Sequence, residues 1–225
     1  MTTHVGLIGH PVSHSLSPRM HNAAFAAARL DWHYSAFDVQ DPVAAVGALR
    51  ALGFAGANVT IPHKQAVVEA CDEADGEAVN TLLIRDGRVV GVNTDREILA
   101  GIVASRACVI GAGGAALTIG PGLPRDTRFF SRRGEWPPDA DGCDLIVNAT
   151  PVRDQVLVEP RAGQTVVDLA YSGSDAETAL VAAARRAGCD VVDGLEALVR
   201  QGAKSFELWT GIPAPVVMMR EAVRT

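Results

Sequence analysis

Aromatic residues are scarce in this 225-residue chain, with three Trp, two Tyr and six Phe making up 5% of it. That scarcity, beside abundant Ala and Val, favours helices packed on a sheet over a β-sandwich. Positive charge is also in deficit: 20 Lys and Arg face 26 Asp and Glu, for a net charge of −6 and a pI near 5.5. A nucleic-acid partner wants a basic face, so that class is disfavoured. A small anionic substrate would need locally placed donors instead of a global positive field. No window reaches the roughly 18 apolar residues of a membrane span. The start, MTTHVGLIGH, lacks the basic region of a secretion signal and reads as a first strand running into a loop. Cys71, Cys108, Cys143 and Cys189 form no CxxC pair and have no zinc spacing. Four scattered thiols fit a reducing cytosol, and a cytoplasmic protein without nucleic-acid or membrane partners is expected. Repeats, low-complexity tracts and Ser- or Pro-rich linkers are lacking too.

What remains is an ordinary globular balance, 48% hydrophobic and 20% charged, in a length that suits one or two domains at about 150 residues each. Strand and helix patterns alternate throughout, which predicts an α/β protein. In the first half, strands are predicted at residues 4–9, 32–39 and 57–60. A hairpin over 81–85 and 89–92 turns at Asp86-Gly87. Helices are predicted from Ser17-Pro18 to residue 28, with Ser17 as N-cap, and over 42–52, closed by Gly53. Another starts at Pro62 and runs toward Cys71. In the second half, strands are predicted at 107–110, 127–130, 144–148, 165–169 and 190–192. Helices are predicted at 176–187, stopped by Gly188, at 195–209, and after Pro215. The domain boundary falls after Asp95. Residues 1–95 and 194–225 form one domain and 96–193 the other.

Gly111, Gly113 and Ala116 satisfy G-x-G-x-x-[G/A] directly after a predicted strand, the pattern that lets backbone amides approach a pyrophosphate. About twenty residues on, where a carboxylate would favour NAD, the chain has Ser131-Arg132-Arg133. Two guanidiniums there suit a 2′-phosphate, and one could stack on adenine. The alternative is a solvated arginine pair. Gly120, Pro121, Gly122 and Pro124 should break the helix after the glycine loop within about two turns. Few residues separate Arg133 from Asp144, and Pro137 and Pro138 are among them, so the cofactor half looks trimmed of a helix and a strand.

The first half carries three polar clusters. Ser15 and Ser17 put two hydroxyls at a helix start, where a carboxylate could bind; Ser17 can also simply cap the helix. Strand alternation sends Asn58 and Thr60 to the same side, with Lys64 on the first turn of the following helix. A lysine there opposes the helix dipole, an odd place for a structural charge, and partial burial would make it a usable proton donor or acceptor. Asn80-Thr81 and Asn93-Thr94-Asp95 add amides, hydroxyls and one carboxylate, each more often a turn residue than a ligand. All six histidines lie in the first 63 residues without metal-ligand spacing, so no metal is expected.

The stretches HSLSPRMHN, GANVTIPHK, AVNT, GVNTD, GAGGAA, NATPV, DLAY and GLEALVRQGAKSFELWTG, in that order over nearly the whole chain, resemble the shikimate/quinate dehydrogenase family. The resemblance implies an N-terminal α/β substrate domain and a trimmed Rossmann-like parallel-sheet NADP domain with a cleft between them. It implies an oxidoreductase interconverting shikimate, or a close analogue such as quinate or aminoshikimate, with its 3-dehydro form. Lys64 and Asp95 would be the catalytic pair. Ser15, Ser17, Asn58, Thr60, Asn80, Thr94, Tyr171 and Gln201 would bind the substrate. Gly111, Gly113, Gly114, Ala115, Ser131, Arg132, Arg133 and Thr150 would hold NADP.

The chain departs from the family pattern at Arg96, Arg153 and Ala197, and Ser172-Gly173 replaces the expected proline turn. These departures keep two alternatives open: a shikimate-like ligand-binding or regulatory protein, and a cofactor-independent Lys/Asp proton-transfer enzyme. A monomer or homodimer is expected.

Overall fold

A short continuous run of small and apolar residues sets the first strand, β1 (Thr3–Gly9), whose C-terminal five residues are all buried. It is followed by α1 (Ser17–Ala27), β2 (Trp32–Asp38), α2 (Pro42–Ala51) and β3 (Gly56–Val59). Next come β4 (Glu73–Ala74) and the arms β5 (Thr81–Arg85) and β6 (Arg88–Val92). The computed structural model describes residues 1–171 and 177–225. By its internal contacts the chain divides into one unit of Met1–Asp95 with Val199–Thr225 and a second of Arg96–Leu198.

The first unit is built on a six-stranded sheet in the order β2-β1-β3-β5-β6-β4. β1 runs parallel to both β2 and β3, while β5 runs antiparallel to β3 and β6. Ile8, Val46, Leu49, Val59, Leu82 and Val89 are among the residues of one of its cores. The hairpin turns as its sequence requires: Asp86 and Gly87 both take positive φ, 51° and 75°, as a primed two-residue turn demands. Asp41 caps α2 by accepting the Ala44 N–H at 3.0 Å, and Pro42 occupies the first helical turn.

Two helix expectations fail here. Ser17 is not the N-cap of α1 but its first residue, and its side chain caps nothing. The Met20 N–H already bonds to the Leu16 carbonyl at 3.0 Å, so the helical ladder starts one residue early. The Ser17 N–H is met instead by Ser15 Oγ at 3.3 Å. After Pro62 there is no α-helix: turns lead to a single 3₁₀ segment, Ala66–Ala70. The Lys64 carbonyl, which a helix would bond to the Val68 N–H, accepts the Val79 N–H at 2.9 Å, and the Val68 N–H turns to Gln65. Lys64 therefore does not oppose a helix dipole.

The second unit contains β7 (Arg106–Ile110), α3 (Gly114–Ile119), β8 (Asp126–Phe130), β9 (Leu145–Asn148), β10 (Thr165–Asp168), α4 (Ala179–Ala187) and β11 (Asp190–Val192). Its five strands pair in parallel, in the order β11-β10-β9-β7-β8. The three inner strands β7, β9 and β10 are buried on both faces, as near-continuous apolar strands of a parallel sheet require. Ala107, Val109, Leu145, Val147 and Val167 face one core; Cys108, Ile110, Ile146 and Val166 face the other.

α3 has six residues and ends in a 3₁₀ turn at Gly120–Gly122, the early break its glycines and prolines predict. No helix occupies residues 131–144 between β8 and β9, and Ala140 and Cys143 of that loop help cover the sheet. The predicted helix over 176–187 begins at residue 179, where Thr178 caps it through the Val181 N–H at 3.2 Å. Ala176, Ser172 and Gly173 lie outside the described residues.

α5 (Gly194–Thr210) starts in the second unit and ends in the first, which α6 (Val216–Arg224) completes. All four cysteines are free thiols. Among the described residues no helix is long and apolar enough to cross a membrane.

Candidate active site

The β5–β6 hairpin assembles the polar centre of the first unit. Pairing Thr81 with Val92 brings the residues just before β5 and just after β6 to the same end. Asn80 thus meets Thr94 and Asp95. The Asn80 amide donates to Asp95 Oδ1 at 2.6 Å, and its oxygen accepts the Thr94 N–H at 2.7 Å. The second bond fixes which way the amide points. The other oxygen of Asp95 takes the ammonium of Lys64. Both side chains of this ion pair are nearly buried, at 11% and 8% exposure for Lys64 and Asp95. The Asp95 N–H donates to Asn93 Oδ1 at 3.0 Å, and the Asn93 N–H donates to Asp75 Oδ1 at 2.8 Å. The carboxylate is held from both its side chain and its backbone.

A second tier lies beneath. Asn58, on β3, donates to Ser205 Oγ at 2.9 Å, Thr81 Oγ1 at 3.1 Å and the Asn80 carbonyl at 3.2 Å. Its oxygen accepts the Tyr34 hydroxyl at 2.9 Å. The Thr81 and Thr94 hydroxyls are 3.1 Å apart, and Ser205 Oγ lies 2.9 Å from that of Thr81. From α5, Gln201 offers Oε1 to the Asn80 amide at 3.4 Å. Buried polar groups are tolerable only when paired in this way.

Six of the anticipated residues, Lys64, Asp95, Asn80, Asn58, Thr94 and Gln201, belong to one hydrogen-bonded network. Ser15, Ser17 and Thr60 are not bonded into it. Ser15 and Thr60 sit in the loops that follow β1 and β3, and Ser17 opens α1, at the carboxyl end of parallel strands, where open α/β sheets bind ligands. Thr60 is seated against Gly9, where a Cβ would lie 2.3 Å from Thr60 Cγ2. Tyr171 belongs to the second unit. The residue reading missed Ser205 and Tyr34. Ser205 follows Gln201 by four residues on a predicted helix, a spacing that places both on one face. Nothing local marks Tyr34.

In the second unit Gly111 has φ 115°, and a Cβ there would lie 2.9 Å from the Ala149 carbonyl oxygen. Only glycine fits that turn. Gly113, the cap of α3, has open space where a Cβ would stand, and Gly114 and Ala115 open the helix. Thr150 is turned onto Asn148 Oδ1, 2.7 Å from its hydroxyl. Ser131, Arg132 and Arg133 form the turn after β8. A glycine turn that needs its bare backbone, open space at Gly113 and two nearby guanidiniums fit a phosphorylated dinucleotide.

Arg153, exposed, donates to the Tyr171 carbonyl at 3.4 Å, and its own carbonyl takes the Ala179 N–H at 2.7 Å. Ala197 is buried in a core of this unit, and Arg96 is exposed.

A family model described as the shikimate dehydrogenase substrate binding domain matches residues 7–82, and one described as the shikimate 5′-dehydrogenase C-terminal domain matches residues 194–224. The NADP(+) shikimate dehydrogenase of Moorella thermoacetica is 38% identical, over 98% of this chain and 92% of that one. This chain belongs to the shikimate dehydrogenase family. The alignment with the Moorella relative runs over 273 positions, 48 more than the 225 residues here, so it carries gaps on this side.

Among solved members, the shikimate 5-dehydrogenase of Thermus thermophilus, in complex with NADP(H) and shikimate, is 31% identical with a TM-score of 0.84. It matches over 99% of both chains. A quinate dehydrogenase from Corynebacterium glutamicum, in complex with NAD, is 26% identical with a TM-score of 0.82, over 98% of each chain.

Proposed function

We propose that this protein is an oxidoreductase that interconverts shikimate and 3-dehydroshikimate with NADP. The observation that carries the reading is the buried Lys64–Asp95 pair, braced by Asn80, at the ligand-binding end of the first unit's sheet. A secondary alcohol can be oxidised only if its hydroxyl proton leaves, and a positioned ammonium–carboxylate pair offers a route for it. In this reading Lys64 first gives one ammonium proton to solvent and then, as the neutral amine, takes the hydroxyl proton on oxidation; on reduction its ammonium donates that proton back to the new hydroxyl. Asp95 keeps the lysine in place and compensates its charge. The hydroxyls of Ser15, Ser17 and Thr60 hold the substrate carboxylate, a local set of donors in an acidic protein. Asn80, Thr94 and Gln201 border the ring hydroxyls. The Asn58 amide is committed to three acceptors, so its part is to hold Asn80, Thr81 and Ser205 in register.

The first unit, Met1–Asp95 with Val199–Thr225, serves as the substrate domain, and the second, Arg96–Leu198, as the cofactor domain. Gly111, Gly113, Gly114, Ala115 and Thr150 border the pyrophosphate, and Ser131, Arg132 and Arg133 border the 2′-phosphate. When bound, NADP supplies the hydride acceptor or donor that the protein's own side chains lack.

The test is calorimetric titration with NADP+, with and without shikimate, followed by absorbance of the reduced cofactor in the same sample. Binding with turnover supports the reading. Shikimate binding without NADP+ affinity or turnover would refute it and leave a carbocycle-binding protein.

A further inference from the structure

The connection between β8 and β9 crosses β7 without a helix, and the loop that replaces it carries an exposed tryptophan. Trp136 is 40% exposed, and the guanidinium carbon of Arg132 lies over its ring, 5.7 Å from the centroid. The loop is tightly tied at its start. The Ser131 N–H bonds the Glu135 carbonyl at 3.0 Å, and the Gly134 N–H bonds the Ser131 carbonyl at 2.9 Å, which keeps Arg132 and Trp136 adjacent.

The charges around this turn are already sorted. Glu135 and Asp139 are paired to Arg128, at 3.0 Å and 3.1 Å, and Arg128 itself lies over Phe130. No described carboxylate pairs with Arg132 or Arg133. In a chain of net charge −6, two neighbouring arginines without acidic partners among the described residues leave a local site for an anion. The turn also stands next to the glycine loop: Ile110 is in register with Phe130, and the Gly111 N–H bonds the Phe130 carbonyl at 2.8 Å.

We propose that Trp136 determines how the adenosine 2′-phosphate end of the cofactor is held. Its ring backs the Arg132 guanidinium, leaving that plane's other face to stack on the purine, while Arg133 bonds the 2′-phosphate. An arginine already laid on an aromatic face loses less freedom when it stacks on a second one. Trp136 thereby supplies from a loop the rigidity that a crossover helix would otherwise give. The inference rests on the NADP reading above.

The probe is adenosine 2′,5′-bisphosphate, titrated into the full chain while tryptophan emission is followed. Trp209 is 6% exposed and lies, like Trp32, in the other unit, so Trp136 is the tryptophan placed to respond. The expected result is a saturable change in wild-type emission that disappears in Trp136→Phe, which retains an aromatic ring. In Trp136→Ala, affinity by calorimetry should weaken by about threefold to thirtyfold, with shikimate affinity unchanged. Wild-type binding without an emission change, or Trp136→Ala binding as tightly as wild type, would overturn the proposal and leave the NADP reading intact. A wild-type chain that binds shikimate but neither NADP+ nor the bisphosphate would overturn both.

Discussion

Asn80 sits between Thr94 and Asp95 as a fixed clamp: its amide oxygen accepts the Thr94 N–H at 2.7 Å, which forces its NH2 group toward Asp95 Oδ1 at 2.6 Å. The carboxylate then has one oxygen held by a neutral amide, while the other meets Lys64. The lysine is thus held by a carboxylate that is itself held, the positioning that a proton-transfer group requires.

Lys64→Ala should therefore lower turnover by about 10²- to 10⁴-fold, the usual loss for a positioned acid–base group. Shikimate affinity by calorimetry should stay within about threefold, since the proposed carboxylate donors lie elsewhere. The variant also leaves Asp95 buried without its cation, which costs about 3 kcal/mol in urea unfolding. The double variant Lys64→Ala/Asp95→Asn should regain much of that stability and none of the turnover. Recovery of turnover would place the proton transfer elsewhere.

Ser205→Ala tests the tier below. Its hydroxyl meets Asn58, Thr81 and Thr94 and donates to the Gln201 carbonyl, so its removal leaves buried partners short of a bond. Unfolding in urea should show a loss of roughly 1–3 kcal/mol. The Michaelis constant for shikimate should rise as Asn58 and Asn80 lose register. An unchanged stability would mean that the remaining hydroxyls re-pair without it.

How far these features were readable depends on the range of the interactions that fix them. The Asp86-Gly87 turn, the glycine turn at Gly111 and the inner strands of the second sheet are set by local backbone preference and by short continuous apolar runs, and all were legible. The break after α3 was legible for the same reason, since Gly120 and Pro121 act on their own segment. The Lys64 segment was not. Its helix is prevented by Val79, which takes the Lys64 carbonyl from fifteen residues away. Asn58 and Ser205 are 147 residues apart in sequence, so their bond exists only once the sheet and α5 have packed. The site was recognised through side-chain chemistry in ordered motifs, while the tier that supports it is a product of tertiary structure.

The turn after β8 predicts a cofactor preference. Arg133→Ala should weaken NADP+ binding by about tenfold to a hundredfold, the range for losing a charge-assisted bond to phosphate. NAD+ affinity should change little, because it lacks the 2′-phosphate. Calorimetry with both dinucleotides decides it. Equal losses for the two would assign Arg133 to the shared pyrophosphate instead.

His21 makes the stability of the first unit pH-dependent. Its ring is fully buried and stacks on Tyr34 with centroids 4.6 Å apart and planes 5° from parallel; Trp209 packs at 5.3 Å. Neither ring nitrogen has a hydrogen-bond partner. With no partner for the imidazolium, burial pushes the pKa from 6.5 down to about 3. The unfolded chain binds the proton more readily, so stability is complete above pH 6.5 and falls as pH drops from 6.5 toward 3. The slope approaches roughly 1.4 kcal/mol per pH unit, which gives a loss of about 2 kcal/mol by pH 5. His21→Phe keeps a ring in the stack and removes the titration. Urea unfolding at pH 7.5 and pH 5 should therefore show the wild type losing about 2 kcal/mol more than the variant. Parallel losses in the two proteins would mean that protonation of His21 is met by a partner or by water once the pH falls.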